Sequence, residues 1–414
     1  MLPDRQFDPW VTNRRTQAEE LVSFVRQSGY VLVSPPIIQP AGKFFDVVGE
    51  KMRAQTFLCT DASGRDLCLR SDLTVPTAEL YLSRFPEGDI PAKYVYSGPV
   101  FRAEEAKDAE RIEDGEIYQI GLESFGHKDE DQADVEVLGL VEGALRWANL
   151  RAFSIKLGDV GLLTALVNHL GIPSHWQRKF WHYYRQSDTD EEDVAGKSAS
   201  VSNLQALTRY LEEIQRPQDR RFSRIADAAL KEKIRSGAIG AATEAVQAYL
   251  NAREQEPFGT RSVADIAARL AEFARDAVEP PLTLKKASLV LEYLKINESP
   301  DTAVKRIKEM FGADASEEMR QAIARFERRL ALFRQSRIDL EGSRFAADFG
   351  RDFAYYTGFV FEISVPRAPA GKPIAGGGRY NKLLKAVGCP NETPAVGAAI
   401  YTDRLLAAKQ GASL

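Results

Sequence analysis

The sequence predicts an α+β protein in which one sheet-forming region is interrupted by a helical insertion. Short runs of β-branched and aromatic residues, separated by turn residues, fill the first 160 residues and are typical of strands. In the middle of the chain glycines become sparse and apolar residues fall at helical intervals. After Arg344 the strand-length runs and glycines return. The predicted parts are a first core region at 1–172, an all-helical insertion at 173–343 and a second core region at 344–414.

The first region is predicted to be a sheet flanked by helices. Asp61–Arg65 joins two strand-length runs and contains Gly64, which adopts turn conformations at no steric cost, so the joined strands should be antiparallel. Helical spacing of apolar residues predicts helices over Arg14–Gln27 and Asp131–Trp147. The predicted strands are Tyr30–Val33, Thr56–Cys59, Asp66–Leu69, Tyr94–Tyr96 and Ile117–Gly121.

The middle region is predicted to be helical. Apolar residues from Met319 to Phe333 are spaced 4, 3, 4 and 3 residues apart behind Ser316, a good N-cap residue. This stripe is shorter than three heptads, which favours a helix facing a core over a coiled coil. The acidic run at 188–193 lacks the glycine and spacing of a calcium loop, and a solvated loop is expected there.

The second region resembles the first in composition, which indicates one sheet divided by the insertion. Three successive glycines, Gly376 to Gly378, weaken a strand unless a backbone or ligand approaches closely. The predicted strands are Phe345–Phe349, Tyr355–Val365, Ile374–Tyr380 and Ala395–Ile400.

Composition excludes several classes of protein. The chain has 414 residues and a formal net charge of -4, which gives no overall basic surface for a polyanion. Its three cysteines are odd in number and have no CxxC spacing, so neither a structural metal nor disulfides are expected. The start has no apolar leader segment, and no apolar run is long enough for a membrane span. We expect a cytoplasmic protein.

Charged residues within apolar strands are the candidates for function, because a buried charge is costly without a partner. Asp72 and Thr74 follow a strand, and their oxygens can accept hydrogen bonds from an ammonium group. Asp72 can also be a simple helix N-cap. Gln119 and Glu123 are four positions apart, an even spacing, so an amide and a carboxylate should share one face of a strand. Arg102 directly follows an apolar run and can bind a carboxylate or phosphate with two hydrogen bonds.

Taken together and in order, these segments resemble the catalytic core of class II aminoacyl-tRNA synthetases, and most closely the histidyl-tRNA synthetase family. The resemblance covers residues 10–160 and 344–408. The segments similar to motifs 1, 2 and 3 and to two stretches of the histidine-specific family are Gly29–Pro40, Phe101–Glu104, Ala395–Leu405, Arg351–Gly358 and Gly376–Tyr380.

This resemblance implies a histidine pocket. Asp72, Thr74 and Gln119 would hold the α-amino group, and Arg351 with Gln119 would hold the carboxylate. Glu123 and Tyr356, beside Tyr355, would contact the imidazole. A remnant of the nucleotide-phosphate site would comprise Arg102, Glu104 and Arg404.

Departures from the family pattern separate two functions. The loop at 105–116 carries six acidic and two basic residues, which disfavours RNA and phosphate binding. Ile117 stands where the family has an aromatic that stacks on adenine. Only about ten residues follow the motif 3 helix, so we expect no anticodon-binding domain and no tRNA partner.

The pattern therefore looks like the family of ATP phosphoribosyltransferase regulatory subunits, which are related to the synthetases but do not aminoacylate. This resemblance implies a short-form ATP phosphoribosyltransferase catalytic subunit as partner, L-histidine as feedback effector, a homodimer through the motif 1 region within a hetero-oligomer, and no cofactor. The alternative is a truncated histidyl-tRNA synthetase that forms histidyl-adenylate, with another amino-acid ligase or a nucleic-acid-binding remnant as further possibilities.

Overall fold

A computed structural model describes most of the chain. The described residues are 8–48, 50–103, 115–185, 189–192, 198–201, 203–216, 222, 225, 227–235, 239–253, 262–350, 355–365 and 372–410.

The chain divides into two compact units. The first unit combines Met1–His169 with Tyr293–Leu414, and the second is Leu170–Glu292. Residues 293–343, which the sequence analysis assigned to the helical insertion, lie in the first unit.

A nine-stranded mixed sheet forms the centre of the first unit, in the order β1-β5-β6-β14-β13-β12-β7-β11-β10. Strands β1 and β5 are parallel, as are β11 and β7, and the other neighbours are antiparallel. Both halves of the chain contribute strands, as the sequence predicted. The strands of this sheet are β1 (Val31–Leu32), β5 (Ala92–Phe101), β6 (Glu116–Phe125), β7 (Ser154–Asp159), β10 (Asn297–Glu298), β11 (Arg344–Ala346), β12 (Phe359–Ser364), β13 (Ala375–Arg379) and β14 (Ala395–Tyr401).

A small sheet of order β2-β4-β3 also belongs to the first unit. Strands β3 and β4 are antiparallel, and Gly64 in the turn between them has a φ of +81°, which confirms the predicted hairpin. The strands are β2 (Ile38–Pro40), β3 (Leu58–Thr60) and β4 (Asp66–Leu69).

Helices surround the sheets of the first unit. Helix α14 (Glu317–Gln335) packs against α5 (Glu130–Trp147) and α6 (Val160–His169). Its apolar stripe is buried from Met319 to Phe333. The Ser316 hydroxyl accepts a hydrogen bond from the Met319 amide at 3.3 Å, which confirms the predicted N-cap. The helices are α1 (Trp10–Arg26), α2 (Ala41–Val48), α3 (Glu50–Ala54), α4 (Thr74–Arg84), α5 (Glu130–Trp147), α6 (Val160–His169), α13 (Pro300–Phe311), α14 (Glu317–Gln335), α15 (Leu383–Ala386) and α16 (Thr402–Gln410), with a 3₁₀ turn at Gly312–Asp314.

The second unit is mainly helical. Its helices are α7 (Ser174–Arg185), α8 (Asn203–Glu213), α9 (Ala228–Arg235), α10 (Ile239–Asn251), α11 (Val263–Val278) and most of α12 (Leu284–Leu294). It also contains β8 (Thr189–Glu192) paired with β9 (Ser198–Val201). The sequence predicted a loop at 188–193, but backbone hydrogen bonding, which does not depend on side-chain type, forms a short antiparallel pair there.

The middle of the large sheet determines where the candidate site lies. Glu123 of β6 is opposite Gly397 of β14, and Gly397 is opposite Gly378 of β13. Directly opposed residues project on the same face of a sheet, and the two glycines make room there: the Glu123 carboxylate fills the space at Gly397, and Val360 and Tyr356 approach Gly378. Among the described residues no helix is long and apolar enough to cross a bilayer, and the three cysteines are free thiols.

Candidate functional site

A buried carboxylate, that of Glu123, lies at the centre of the candidate site. The side chain is 0% exposed, and three hydroxyl groups donate hydrogen bonds to it. Thr74 Oγ1 and the Tyr96 hydroxyl reach Oε1 at 2.9 Å and 2.7 Å, and the Tyr380 hydroxyl contacts Oε2. Residues from α4, β5, β6 and the end of β13 therefore meet at one carboxylate.

Burial raises the pKa of Glu123 to about 8, because removal from water disfavours the charged form. The hydrogen bonds from Tyr380, Tyr96 and Thr74 oppose this shift, and the neighbouring Asp72 carboxylate adds to it. Within the described part of the chain no cationic side chain forms an ion pair with Glu123. The site therefore holds a carboxyl group that is largely protonated at neutral pH and whose charged form is solvated, among the described residues, by hydroxyl groups.

A second buried carboxylate, Asp72, lies where α4 begins. Its Oδ2 accepts a hydrogen bond from the Tyr355 hydroxyl at 2.8 Å, and its Oδ1 accepts one from the Val75 amide at 3.2 Å. Burial raises the pKa of Asp72, while the Tyr355 hydrogen bond lowers it. Asp72 thus accepts a hydrogen bond from the first turn of α4, although the N-cap residue is Leu73 and not Asp72, and its other oxygen belongs to the candidate site.

Aromatic rings form one wall of the site. The ring centroids of Tyr355 and Tyr356 are 5.0 Å apart, and that of Tyr380 lies 5.6 Å and 6.3 Å from them. Gln119 is 2% exposed and lies on β6 opposite Gly98 and Tyr401. The predicted residues Asp72, Thr74, Glu123, Tyr355 and Tyr356 are therefore brought together with Tyr380.

The predicted nucleotide residues have contacts within the chain. Arg102 Nε donates a hydrogen bond to the Ser71 carbonyl at 2.9 Å, and its charge lowers the pKa of the nearby Asp72. Arg404 donates to the Pro373 carbonyl at 2.7 Å, and its guanidinium lies 4.0 Å from the centroid of the Tyr401 ring. Glu104 and Arg351 lie outside the described residues.

Known proteins share both sequence and fold with this chain. The family model for histidyl-tRNA synthetase matches residues 7–268 and 260–405. Two ATP phosphoribosyltransferase regulatory subunits, from Rhizobium leguminosarum bv. trifolii and Rhizobium johnstonii, are each 30% identical to this chain. The alignments cover 90% and 94% of this chain and 92% and 96% of those proteins. The chain belongs to the family of ATP phosphoribosyltransferase regulatory subunits.

Solved structures agree on the fold of this family. A Bacillus halodurans protein described as an ATP phosphoribosyltransferase regulatory subunit/histidyl-tRNA synthetase matches with a TM-score of 0.61 at 20% identity, covering 97% of this chain and 80% of that one. A histidine--tRNA ligase subunit from Alicyclobacillus acidocaldarius matches with a TM-score of 0.58 at 21% identity, covering 98% and 95%. At these identities the matches show the fold, that of a class II synthetase core.

For this member of the family, sequence reasoning missed two hydroxyl donors, Tyr96 and Tyr380. Tyr380 was recognised only as part of a glycine-rich segment, and Tyr96 only as part of a strand. A signal was present for Tyr96, because it lies opposite Gly121, and a glycine inside a strand often marks a close approach by another group. The pairing of β5 with β6 was needed to see it.

Proposed function

We propose that this chain regulates a short-form ATP phosphoribosyltransferase in the first step of histidine biosynthesis and binds L-histidine as feedback effector. The regulatory part is supported by the names of the relatives, which are regulatory subunits of that enzyme. The histidine part is carried by Glu123, a fully buried carboxylate held by hydroxyl groups. Such a carboxylate is costly until a ligand supplies a hydrogen-bond donor or a positive charge.

The chemistry of histidine matches the groups in the site. Its imidazole supplies an N–H to Glu123 beside Tyr356, and its ammonium group supplies donors to the buried oxygens of Asp72. Gln119 and Arg351 are proposed to bind the α-carboxylate, since an arginine can form two hydrogen bonds to it. The full proposed set is Asp72, Thr74, Gln119, Glu123, Arg351, Tyr355 and Tyr356.

Regulation requires that histidine bind two states of the complex with different affinity, because a ligand that binds both equally shifts neither. The coupling is reciprocal, so the catalytic partner must change histidine affinity by the same factor. We propose that the chain carries out no aminoacylation and that Arg102 and Arg404 are remnants of a nucleotide site. The setting is the cytoplasm.

A homodimer within the hetero-oligomer is part of this proposal. Strand β1 is the terminal strand of the large sheet, and Val31 and Leu32 are 58% and 50% exposed. Ile37 and Ile38, in the following segment, are also exposed. Exposed apolar side chains along an edge strand favour pairing with another chain.

The test is co-expression with a short-form ATP phosphoribosyltransferase. We expect a complex, containing an even number of copies of this chain by light scattering, whose activity L-histidine inhibits. Glu123→Ala should abolish inhibition and histidine binding in calorimetry while leaving basal activity. The control is Glu142→Ala, which removes a buried carboxylate of α5 paired with Arg146 at 2.8 Å. Failure to form a complex, or unchanged inhibition of the Glu123→Ala complex, would contradict the proposal.

A further inference from the structure

Tyr96 is a buried residue that both packs in the core and contacts the candidate site through Glu123. It is 1% exposed, on β5, and packs with Leu73 and Val100. Its hydroxyl donates to Glu123 Oε1 at 2.7 Å. Burial raises the pKa of Tyr96 well above its ordinary value, so the phenol is a protonated donor at neutral pH.

Gly121 makes room for this ring. Tyr96 and Gly121 are directly opposed on β5 and β6, and a Cβ built on Gly121 would lie 2.3 Å from the Tyr96 hydroxyl oxygen and from Cζ. Any side chain at position 121 would therefore displace the phenol. Gly397 plays the same part for the carboxylate itself, since its Cβ would lie 1.6 Å from Glu123 Oε2.

The hydrogen-bonding capacity of Glu123 is nearly filled by the protein. An ionised carboxylate has about four acceptor positions, and Thr74, Tyr96 and Tyr380 occupy three of them. The fourth position of the ionised form has no partner among the described residues and is available to a ligand. A ligand side chain that directs one N–H at the carboxylate, such as an imidazole, fills this acceptor position. An amide NH₂ carries two donors, and the second would have no acceptor at this carboxylate.

We propose that Tyr96 is a positioning residue of the effector site: its hydroxyl fixes the Glu123 carboxylate so that one acceptor position faces the ligand, and Gly121 admits its ring. This inference rests on the proposed function, because the ligand is taken to be histidine. Tyr96 acts through Glu123 and does not itself contact the effector.

The test compares two phenylalanine variants of the full chain by calorimetry with L-histidine. Tyr96→Phe keeps the ring and removes the donor, and histidine affinity at pH 8.5, above the pKa of about 8 of Glu123, should fall about tenfold, the effect of losing a hydrogen bond to a charged group. The control is Tyr81→Phe, which removes an equally buried hydroxyl that donates to the Ile90 carbonyl at 2.7 Å. Its histidine affinity should equal that of the wild type.

The pH profile separates positioning from packing. Removing a donor to the ionised form raises the pKa of a carboxylate, so the pH dependence of histidine affinity between pH 6 and 9 should move to higher pH in Tyr96→Phe and not in Tyr81→Phe. A residue that only fills space would leave the profile unchanged. The other titratable groups that act on Glu123 or feel its charge are the same in both variants, namely Asp72, Tyr30, Tyr355 and Tyr380.

A double-mutant cycle tests the role of Gly121. Gly121→Ala should weaken histidine binding and lower stability in urea unfolding. In a Tyr96→Ala background Gly121→Ala should cost little stability, because the aromatic ring with which the new methyl group would clash is absent. Additive losses would show that Gly121 has another role and would overturn this part of the inference.

The outcomes distinguish this inference from the proposed function. Wild-type chain that binds no histidine overturns the proposed function, and the role of Tyr96 falls with it. Wild-type binding that Tyr96→Phe leaves unchanged in strength and pH profile overturns the role of Tyr96 alone.

Discussion

Two fully buried carboxylates of the first unit, Glu123 and Asp134, are held in opposite ways. Both are 0% exposed. Asp134 accepts hydrogen bonds from Arg379 Nε at 2.9 Å and from an Arg329 terminal nitrogen at 3.3 Å. Glu123 receives only hydroxyl donors within the described residues, among them the Tyr380 hydroxyl. Adjacent residues at the end of β13, Arg379 and Tyr380, therefore serve the two carboxylates.

The comparison distinguishes a buried carboxylate with a structural role, Asp134, from one that we propose to bind a ligand, Glu123. Burial raises the pKa of Asp134, and the charges of Arg379 and Arg329 oppose that rise while they connect β13 and α14 to α5. Among the described residues, the neighbours of Glu123 orient it but none is a cation paired with it, so burial favours its protonated form until a cationic or N–H donor arrives. Arg379 and Tyr380, consecutive residues at the end of β13, thus connect Asp134 of α5 with Glu123 of the candidate site.

The largest expected effect comes from breaking the ion pairs of Asp134. Arg379→Met should lower the free energy of unfolding by up to about 3–5 kcal/mol, because it removes the shorter ion pair of a buried charge and leaves the longer contact with Arg329, 3.3 Å. The measurement is urea unfolding near neutral pH. Arg15→Met is the control, since the Arg15 side chain is 82% exposed and pairs with the exposed Glu19 at 3.2 Å; it should cost less than about 1 kcal/mol. Equal losses in the two variants would contradict the comparison.

The next effect is a pH dependence of stability due to Glu123. Its pKa is about 8 in the folded chain and about 4.3 when unfolded, so the folded state binds more protons between these values. Stability from this group is therefore fully present below pH 4 and is lost as the pH rises towards 8. Between pH 5 and 7 the free energy of unfolding should fall by about 2–3 kcal/mol more in the wild type than in Glu123→Gln.

The control for this profile is Thr77→Val, which removes a buried hydroxyl that donates to the Leu73 carbonyl and changes no titratable group. Its pH dependence of stability should run parallel to that of the wild type. A Glu123→Gln profile that also runs parallel to the wild type would mean that Glu123 is compensated in the folded chain, and the contrast with Asp134 would fail.

The sequence was informative where a periodic pattern coincided with burial. Two-residue spacing on β6 placed Gln119 and Glu123 on one face, and the Ser316 cap with its apolar stripe predicted α14. Neither pattern specifies the partner of an element, which is why 293–343 was assigned to the insertion although α14 packs on α5 and α6. Tyr96 was missed for the same physical reason, since its role depends on strand register across a long connection.

The smallest expected effect concerns Thr74, which the resemblance assigned to the α-amino group. Its Oγ1 donates to Glu123 Oε1 at 2.9 Å, and the residue is only partly buried, so water can replace a lost donor there. Thr74→Val keeps the shape and removes the hydroxyl, and histidine affinity should fall about threefold to tenfold, the range for a net contribution of about 0.5–1.5 kcal/mol.

The matched control for Thr74→Val is Thr77→Val, one turn along α4. Thr77 is 0% exposed, and its hydroxyl donates to the Leu73 carbonyl at 2.6 Å rather than to the site. This variant should lose some stability and keep its histidine affinity. If Thr74→Val abolished binding instead, the hydroxyl would be contacting the ligand directly, as the resemblance implied. If both variants kept wild-type affinity, the Thr74 hydrogen bond would add nothing to the orientation of Glu123, and the carboxylate would depend on the two phenols alone.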